Sequence, residues 1–183
     1  MTTIIGIAGS LRVGSINAAL LRAAAALMPD GASLTIASIK GIPLYDGDVE
    51  DREGIPHTVA ALKDQIAAAD GLLLVTPEYN NSIPGVFKNA IDWLSRPPAD
   101  SARVFGNRPV AVIGASPGGF GTILAQNAWL PVLRTLGTQP WFNGRLMVSR
   151  AGSVFNEQGE LVDEKTKAQL QQFLHGFVDF VKS

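Results

Sequence analysis

The feature that most constrains this chain is a set of short runs that are apolar at nearly every position. Thr3–Ala8 (TIIGIA), Gly71–Thr76 (GLLLVT) and Pro109–Ala115 (PVAVIGA) each read as a strand without a polar face. Such strands must be covered on both sides, which is the situation of a parallel sheet packed between two layers of helix. The stretches between them carry the helical period. Ile16–Met28 puts Ile16, Leu20, Ala23 and Leu27 on one stripe, with Ser15 as its cap, and Thr58–Ala69 does the same with Val59, Leu62 and Ile66. Pro84–Ser95 reads as a helix with Pro84 in its first turn and Ser82 as its cap. Thr122–Leu136 is a further helix, expected to kink at Pro131. Asp163–Lys182 closes the chain, capped by Asp163, with Leu170, Phe173, Leu174, Phe177 and Val181 facing inward. Ser33–Ile39 reads as a strand, and Thr138–Val148 contains another, interrupted around Asn143–Gly144. Gly41–Gly54, polar and acidic, and Arg96–Arg108 read as connections.

Strands alternating with helices predict one α/β domain over residues 1–183. Right-handed crossovers leave few topologies. The flavodoxin-like one fits: three layers, α/β/α, around a five-stranded parallel sheet of order 2-1-3-4-5. In that arrangement a ligand binds beyond the carboxyl ends of the strands, near the switch point between strands 1 and 3. The informative loops are therefore those after strands 1, 3 and 4.

The first, Gly9-Ser10-Leu11-Arg12-Val13-Gly14-Ser15, runs into a helix. Free N–H groups at a helix start attract phosphate, and Ser10, Ser15, Arg12 and Asn17 add side-chain donors suited to a phosphate monoester. A Walker loop is excluded because Gly14 stands where its lysine would be, and the G-x-G-x-x-G spacing of a dinucleotide fingerprint is missing. The second loop, Thr76 to Gly85, is stiffened by Pro77 and Pro84. Asn80 and Ser82 can bond a heterocycle edge and Tyr79 can stack, while Glu78 reads as a structural acceptor rather than a catalytic acid. Trp93 and Leu94, on the helix that follows, read as core or subunit interface.

The third loop, Gly114-Ala115-Ser116-Pro117-Gly118-Gly119-Phe120-Gly121, lets backbone approach a flat ligand closely. It also contains G-x-S-x-G, the hydrolase nucleophile elbow, with Asp163 and His175 later in the matching order. The chemistry fails, because that oxyanion hole needs the N–H of the residue after the serine and Pro117 has none. His175 also falls deep inside the last helix, and His57 reads as solvated. Asp46, Asp48, Glu50 and Asp51 lack the glycine and glutamate spacing of a calcium loop and read as a solvated acidic loop.

Charge and composition narrow the partners. A net charge of −1 and a pI near 6.1 supply no basic face for nucleic acid. The absence of cysteine removes disulfides and thiolate nucleophiles. No apolar stretch reaches membrane-spanning length and the N-terminus lacks a signal pattern, so the expected compartment is the cytoplasm, with no membrane partner. Trp93, Trp129, Trp141 and Phe142 suggest self-association.

Taken together, GSLRVGSIN, PLYDGD and ADGLLLVTPEYNNSIPGVFKNAIDWLSR make the chain resemble the NADPH-dependent FMN reductase family, with its soluble quinone, chromate and azo-dye reductases. The resemblance spans roughly the first 145 residues, and PEYN…SIPG…KNAIDW is its most specific part. It implies bound FMN and NADPH, with NADH as the alternative donor. It also implies that Ser10, Arg12, Ser15 and Asn17 hold the phosphate, that Pro77, Glu78, Tyr79 and Asn80 line the flavin ring, and that Ser116, Gly118 and Gly119 approach the ring from the other loop. No side chain is expected to be catalytic, since the flavin does the chemistry. A small-molecule electron acceptor and a homodimer or homotetramer are implied as well. Asn81 stands where some quinone- and chromate-reducing relatives carry a second tyrosine, so the acceptor is not carried over. The alternative is a flavodoxin-type electron carrier. Flavodoxins are strongly acidic, which −1 is not, and their phosphate loops are rich in Ser and Thr, without a counterpart to Arg12.

Overall fold

The computed structural model describes all 183 residues. The strands are β1 (Thr2–Ala8), β2 (Ala32–Ala37), β3 (Gly71–Val75), β4 (Pro109–Ala115), β5 (Gln139–Pro140) and β6 (Met147–Val148). The helices are α1 (Ile16–Ala26), α2 (Gly47–Glu53), α3 (His57–Ala67), α4 (Gly85–Leu94), α5 (Pro98–Phe105), α6 (Ile123–Thr135) and α7 (Glu164–Lys182). All pairings in the sheet are parallel, in the order β2-β1-β3-β4-β5, with β6 also on β4. The flavodoxin-like topology expected from the sequence is the one observed.

The uniformly apolar strands do what their composition requires. Leu73, Val75, Ala111 and Ile113 face one layer, together with Leu20, Leu21 and Ala24 of α1 and Leu170, Phe173, Leu174 and Phe177 of α7. Their alternates Leu72, Leu74 and Val110 face the other layer, with residues of α3, α4, α5 and α6. The two cores are the two sides of one pleated sheet. Gly6 belongs to this packing, since a Cβ there would strike Leu21 and come within 2.9 Å of Leu34.

Several expectations are corrected. The last strand is split into β5 and β6. The chain leaves the sheet between them so that Trp141 can pack edge-on against Phe173, with ring centroids 4.8 Å apart. That detour opens a cleft of about 380 Å³ between the outer edge of β4 and α6. The acidic connection contains α2. Asp46 caps it by accepting from the Asp48 N–H at 2.9 Å, and Glu50 is buried rather than solvated. Glu50 bonds Arg96 at 2.8 Å and accepts the Tyr45 hydroxyl at 2.9 Å. Burial pushes the Glu50 carboxyl up, but these two donors outweigh it and hold it below the ordinary glutamate value. The connection after α4 contains α5, which opens on Pro98 and buries Val104 and Phe105. Ser82 does not cap α4, which begins after Pro84 with no side-chain cap. Helix α6 runs continuously through Pro131. Trp93, Trp129 and Trp141 are core residues, so of the four aromatics suggesting association only Phe142 stands exposed.

Candidate functional site

Strands β1, β3 and β4 lie side by side, so their three outgoing loops meet at one edge of the sheet. In the first loop Ser15 caps α1, its Oγ accepting the Ala18 N–H at 3.2 Å. The next two N–H groups, of Ile16 and Asn17, find no acceptor in the chain. They are orphan donors at the positive end of the helix dipole. Ser10 sits half-buried before them and Arg12 is exposed. The Arg12 guanidinium has neither a carboxylate nor a carbonyl partner in the chain, and the space where a Gly14 side chain would stand is open. Gly9 is needed for another reason: a Cβ there would overlap the Phe87 ring of α4. Its absence lets the helix after β3 close against the loop after β1.

The Asn17 side chain has a different role from the one expected, while its backbone N–H stays free. It is 4% exposed, and its amide is spent on the backbone at the end of β4. Nδ2 donates to the Ala115 carbonyl at 2.8 Å and Oδ1 accepts the Ala115 N–H at 2.8 Å. The amide therefore ties the phosphate loop to the third loop instead of pointing into the site.

The second loop begins with buried Thr76 and Pro77. Tyr79 and Ser82 exchange backbone hydrogen bonds of 3.1 and 3.0 Å around Asn80 and Asn81, whose φ values are 49° and 63°. This is a two-residue turn of the kind asparagine accepts in the left-handed region. It leaves Tyr79 46% exposed at the rim. Glu78 is the structural acceptor the sequence suggested, with its partner now visible: Oε2 accepts the N–H groups of Leu124 and Ala125, both at 2.9 Å. The carboxylate thus caps α6 from outside that helix, whose own N-cap residue, Thr122, makes no side-chain cap.

In the third loop the Ser116 Oγ accepts the Gly118 N–H at 3.0 Å. The Ser116 and Gly118 carbonyls accept from Ala151 and Arg150 at 3.1 and 2.9 Å, which fastens the loop to the segment after β6. The Gly119 N–H has no acceptor in the chain, and a Cβ on Gly119 would meet nothing. Gly114 is tightly enclosed, since a Cβ would collide with the Thr76 carbonyl and Thr122. Arg150 docks on this loop, and no local pattern in the sequence marks it, because its partner Gly118 lies 32 residues earlier, in the loop after β4. The hydrolase decoy is not assembled. Asp163 caps α7 by accepting the Thr166 N–H at 2.7 Å, and His175 lies about 18 Å further along that helix at 1.5 Å per residue.

The three loops form a cradle with a cationic, donor-rich end after β1 and a backbone-lined end between the other two. Unpaired amides, a free guanidinium and an open glycine suit a phosphate monoester, and the glycine-rich wall suits a flat ring, so the residues present fit FMN.

The family model for NADPH-dependent FMN reductase matches residues 2–153. A NAD(P)H-dependent FMN reductase of Pseudomonas aeruginosa is 45% identical over 179 residues, covering 98% of this chain and 95% of that one. A quinone reductase of Escherichia coli is 38% identical over 184 residues, covering 98% and 95%. Among solved structures, the flavoenzyme NAD(P)H:(acceptor) oxidoreductase FerB from Paracoccus denitrificans superposes with a TM-score of 0.88 at 35% identity, covering 100% and 98%.

Proposed function

The chain belongs to the NADPH-dependent FMN reductase family, and from that premise we propose that it is a reductase of small quinone-like acceptors, with the cradle described above as its flavin site. It is an oxidoreductase whose cofactors are FMN and NAD(P)H. The observation that carries the site is the pair of orphan N–H groups of Ile16 and Asn17 beside the unpaired Arg12.

These donors, with Ser10 and the hydroxyl proton of Ser15, hold the FMN phosphate. Pro77, Tyr79 and Asn80 from the second loop and Ser116, Gly118 and Gly119 from the third would line the ring. When bound, FMN would supply the redox chemistry between NAD(P)H and the acceptor. The free Gly119 N–H would offer a donor to negative charge on the bound ring. Glu78 and Asn17 hold the walls in register, and no side chain is assigned as acid, base or nucleophile. A quinone is favoured as acceptor because several relatives carry that activity in their names, one being a 2-hydroxy-1,4-benzoquinone reductase of a Burkholderia species, 40% identical over 176 residues. No helix is long and apolar enough to cross a membrane. The reading includes a cytoplasmic location and a homodimer or homotetramer, which size-exclusion chromatography with light scattering would count.

The test is spectroscopic. Purified protein loaded with FMN should show a flavin band that NADPH bleaches anaerobically and a benzoquinone restores. A protein that cannot be loaded with FMN refutes the site. One that binds FMN but consumes NADPH only with a separate reductase is a carrier instead.

A further inference from the structure

Besides Arg12, a second cation stands beside the cradle with nothing in the chain to neutralise it. Arg150 follows β6 and is exposed, and its guanidinium has no hydrogen-bond acceptor or carboxylate partner. Its backbone, by contrast, is held firmly. The Arg150 N–H donates to the Gly118 carbonyl at 2.9 Å, and the N–H of the next residue, Ala151, donates to Ser116 at 3.1 Å. Arg150 is thereby locked to the loop that forms one wall of the flavin site.

Its conformation sharpens the point. Arg150 has φ 49° and ψ 41°, the left-handed region in which glycine meets no steric penalty and an arginine does. Backbone conformation alone would favour glycine here. The surroundings also leave the guanidinium alone in its role. Ser116–Thr122 carries no charged residue, and Glu78 is engaged by the amides of α6. Arg12 belongs to the loop after β1, with β3 lying between β1 and β4. A net charge of −1 gives the whole molecule little field with which to attract a polyanion.

We infer that Arg150 binds a phosphate of the pyridine dinucleotide while its nicotinamide lies over the flavin. This rests on the FMN reductase reading. A guanidinium offers phosphate a planar pair of donors, and a lysine would not reproduce that fork. The arrangement separates the two anionic tails: FMN phosphate at the loop after β1, dinucleotide phosphate beside the loop after β4. The pyrophosphate and a 2′-phosphate present the same chemistry to the guanidinium.

The test uses FMN-loaded protein and the variants Arg150→Gly and Arg150→Gln, with oxidised NADP⁺ and NAD⁺ titrated by calorimetry. NADP⁺ should bind at least tenfold more weakly to both variants, while FMN affinity stays within twofold of the parent. Arg150→Gly should melt no lower than the parent, because glycine adopts this backbone freely, and Arg150→Gln provides the same test without altering backbone freedom. Equal weakening for NAD⁺ assigns the contact to the pyrophosphate, and weakening confined to NADP⁺ assigns it to the 2′-phosphate. NADP⁺ affinity within twofold of the parent overturns the inference, as does parallel loss of FMN, which would put Arg150 in the flavin site. Either result leaves the family reading standing, since bleaching of the parent's flavin by NADPH tests that separately.

Discussion

Replacing Asn17 by alanine separates two roles that the same residue could have, phosphate ligand or structural tie. In the structure its amide makes two 2.8 Å hydrogen bonds to Ala115, and Ala115 is 3% exposed. Truncation strands a buried N–H and a buried carbonyl, each costing about 1–3 kcal/mol, so the variant should lose about 2–6 kcal/mol. With a urea slope of about 2–3 kcal/mol per molar for a chain of this size, the unfolding midpoint should fall by roughly 0.7–3 M. Asn17→Asp provides the control. At pH 7 its carboxylate can still accept from Ala115 but faces the Ala115 carbonyl with a buried charge, so it should be at least as unstable as the alanine variant. Its deficit relative to the parent should shrink on going from pH 7 to about pH 5, because a protonated carboxyl can donate to that carbonyl. The measurement is equilibrium urea unfolding of the FMN-free protein. A loss below about 0.5 kcal/mol for Asn17→Ala, with FMN affinity nonetheless abolished, would refute the tie and return Asn17 to the phosphate.

Other changes have sharp expected outcomes. Arg12→Ala should weaken FMN binding by about 1.5–3 kcal/mol, the value of a charged hydrogen bond, in a flavin-fluorescence titration, with little change in stability. Glu78→Ala should cost about 1–2 kcal/mol in urea unfolding by uncapping α6, and Glu78→Gln less, since an acceptor remains. Gly114→Ala should cost about 1–3 kcal/mol or prevent folding, because the new Cβ would meet the Thr76 carbonyl, a backbone atom that cannot swing aside. Stability should fall on acidification. The Asp100 carboxyl is held well below the usual range by hydrogen bonds from Arg103 and Lys63, and Asp70 is held low by Thr3. Depressed carboxylates stabilise the fold above their unfolded values near pH 4 and lose that contribution as pH falls toward their folded values. The urea midpoint should therefore hold above about pH 5 and drop below pH 4, with a shallower drop in Asp100→Asn.

How much was legible from the sequence follows from how local each cause is. The boundaries of β4, the caps of α1 and α7 and the strand order are legible in the sequence, because period, capping and chain reversal are written in neighbouring residues. Helix α2 escaped notice because GDVEDRE has no apolar stripe; its hold on the protein is Glu50, bonded to Arg96 46 residues away. Helix α5 did carry a signal, Pro98 in its first turn, but a segment so rich in proline read as a connection. The tryptophans could not be sorted between core and interface by type alone, since burial depends on what packs opposite.

The site divides in the same way. Gly9–Ser15 announced an anion-binding helix start by composition, because the donors belong to the backbone of that one segment. Which side chains stay free for the site was decided elsewhere: Asn17 turns to Ala115, 98 residues on, and Glu78 turns to α6, while the backbone of Arg150 is pinned by Gly118. The linear order of residues determined the period, the caps and hence the layered sheet. Only the tertiary structure decided which polar groups are consumed by partners and which stay free for a ligand, because a hydrogen bond forms between groups about 3 Å apart and that proximity is set by packing across the sheet.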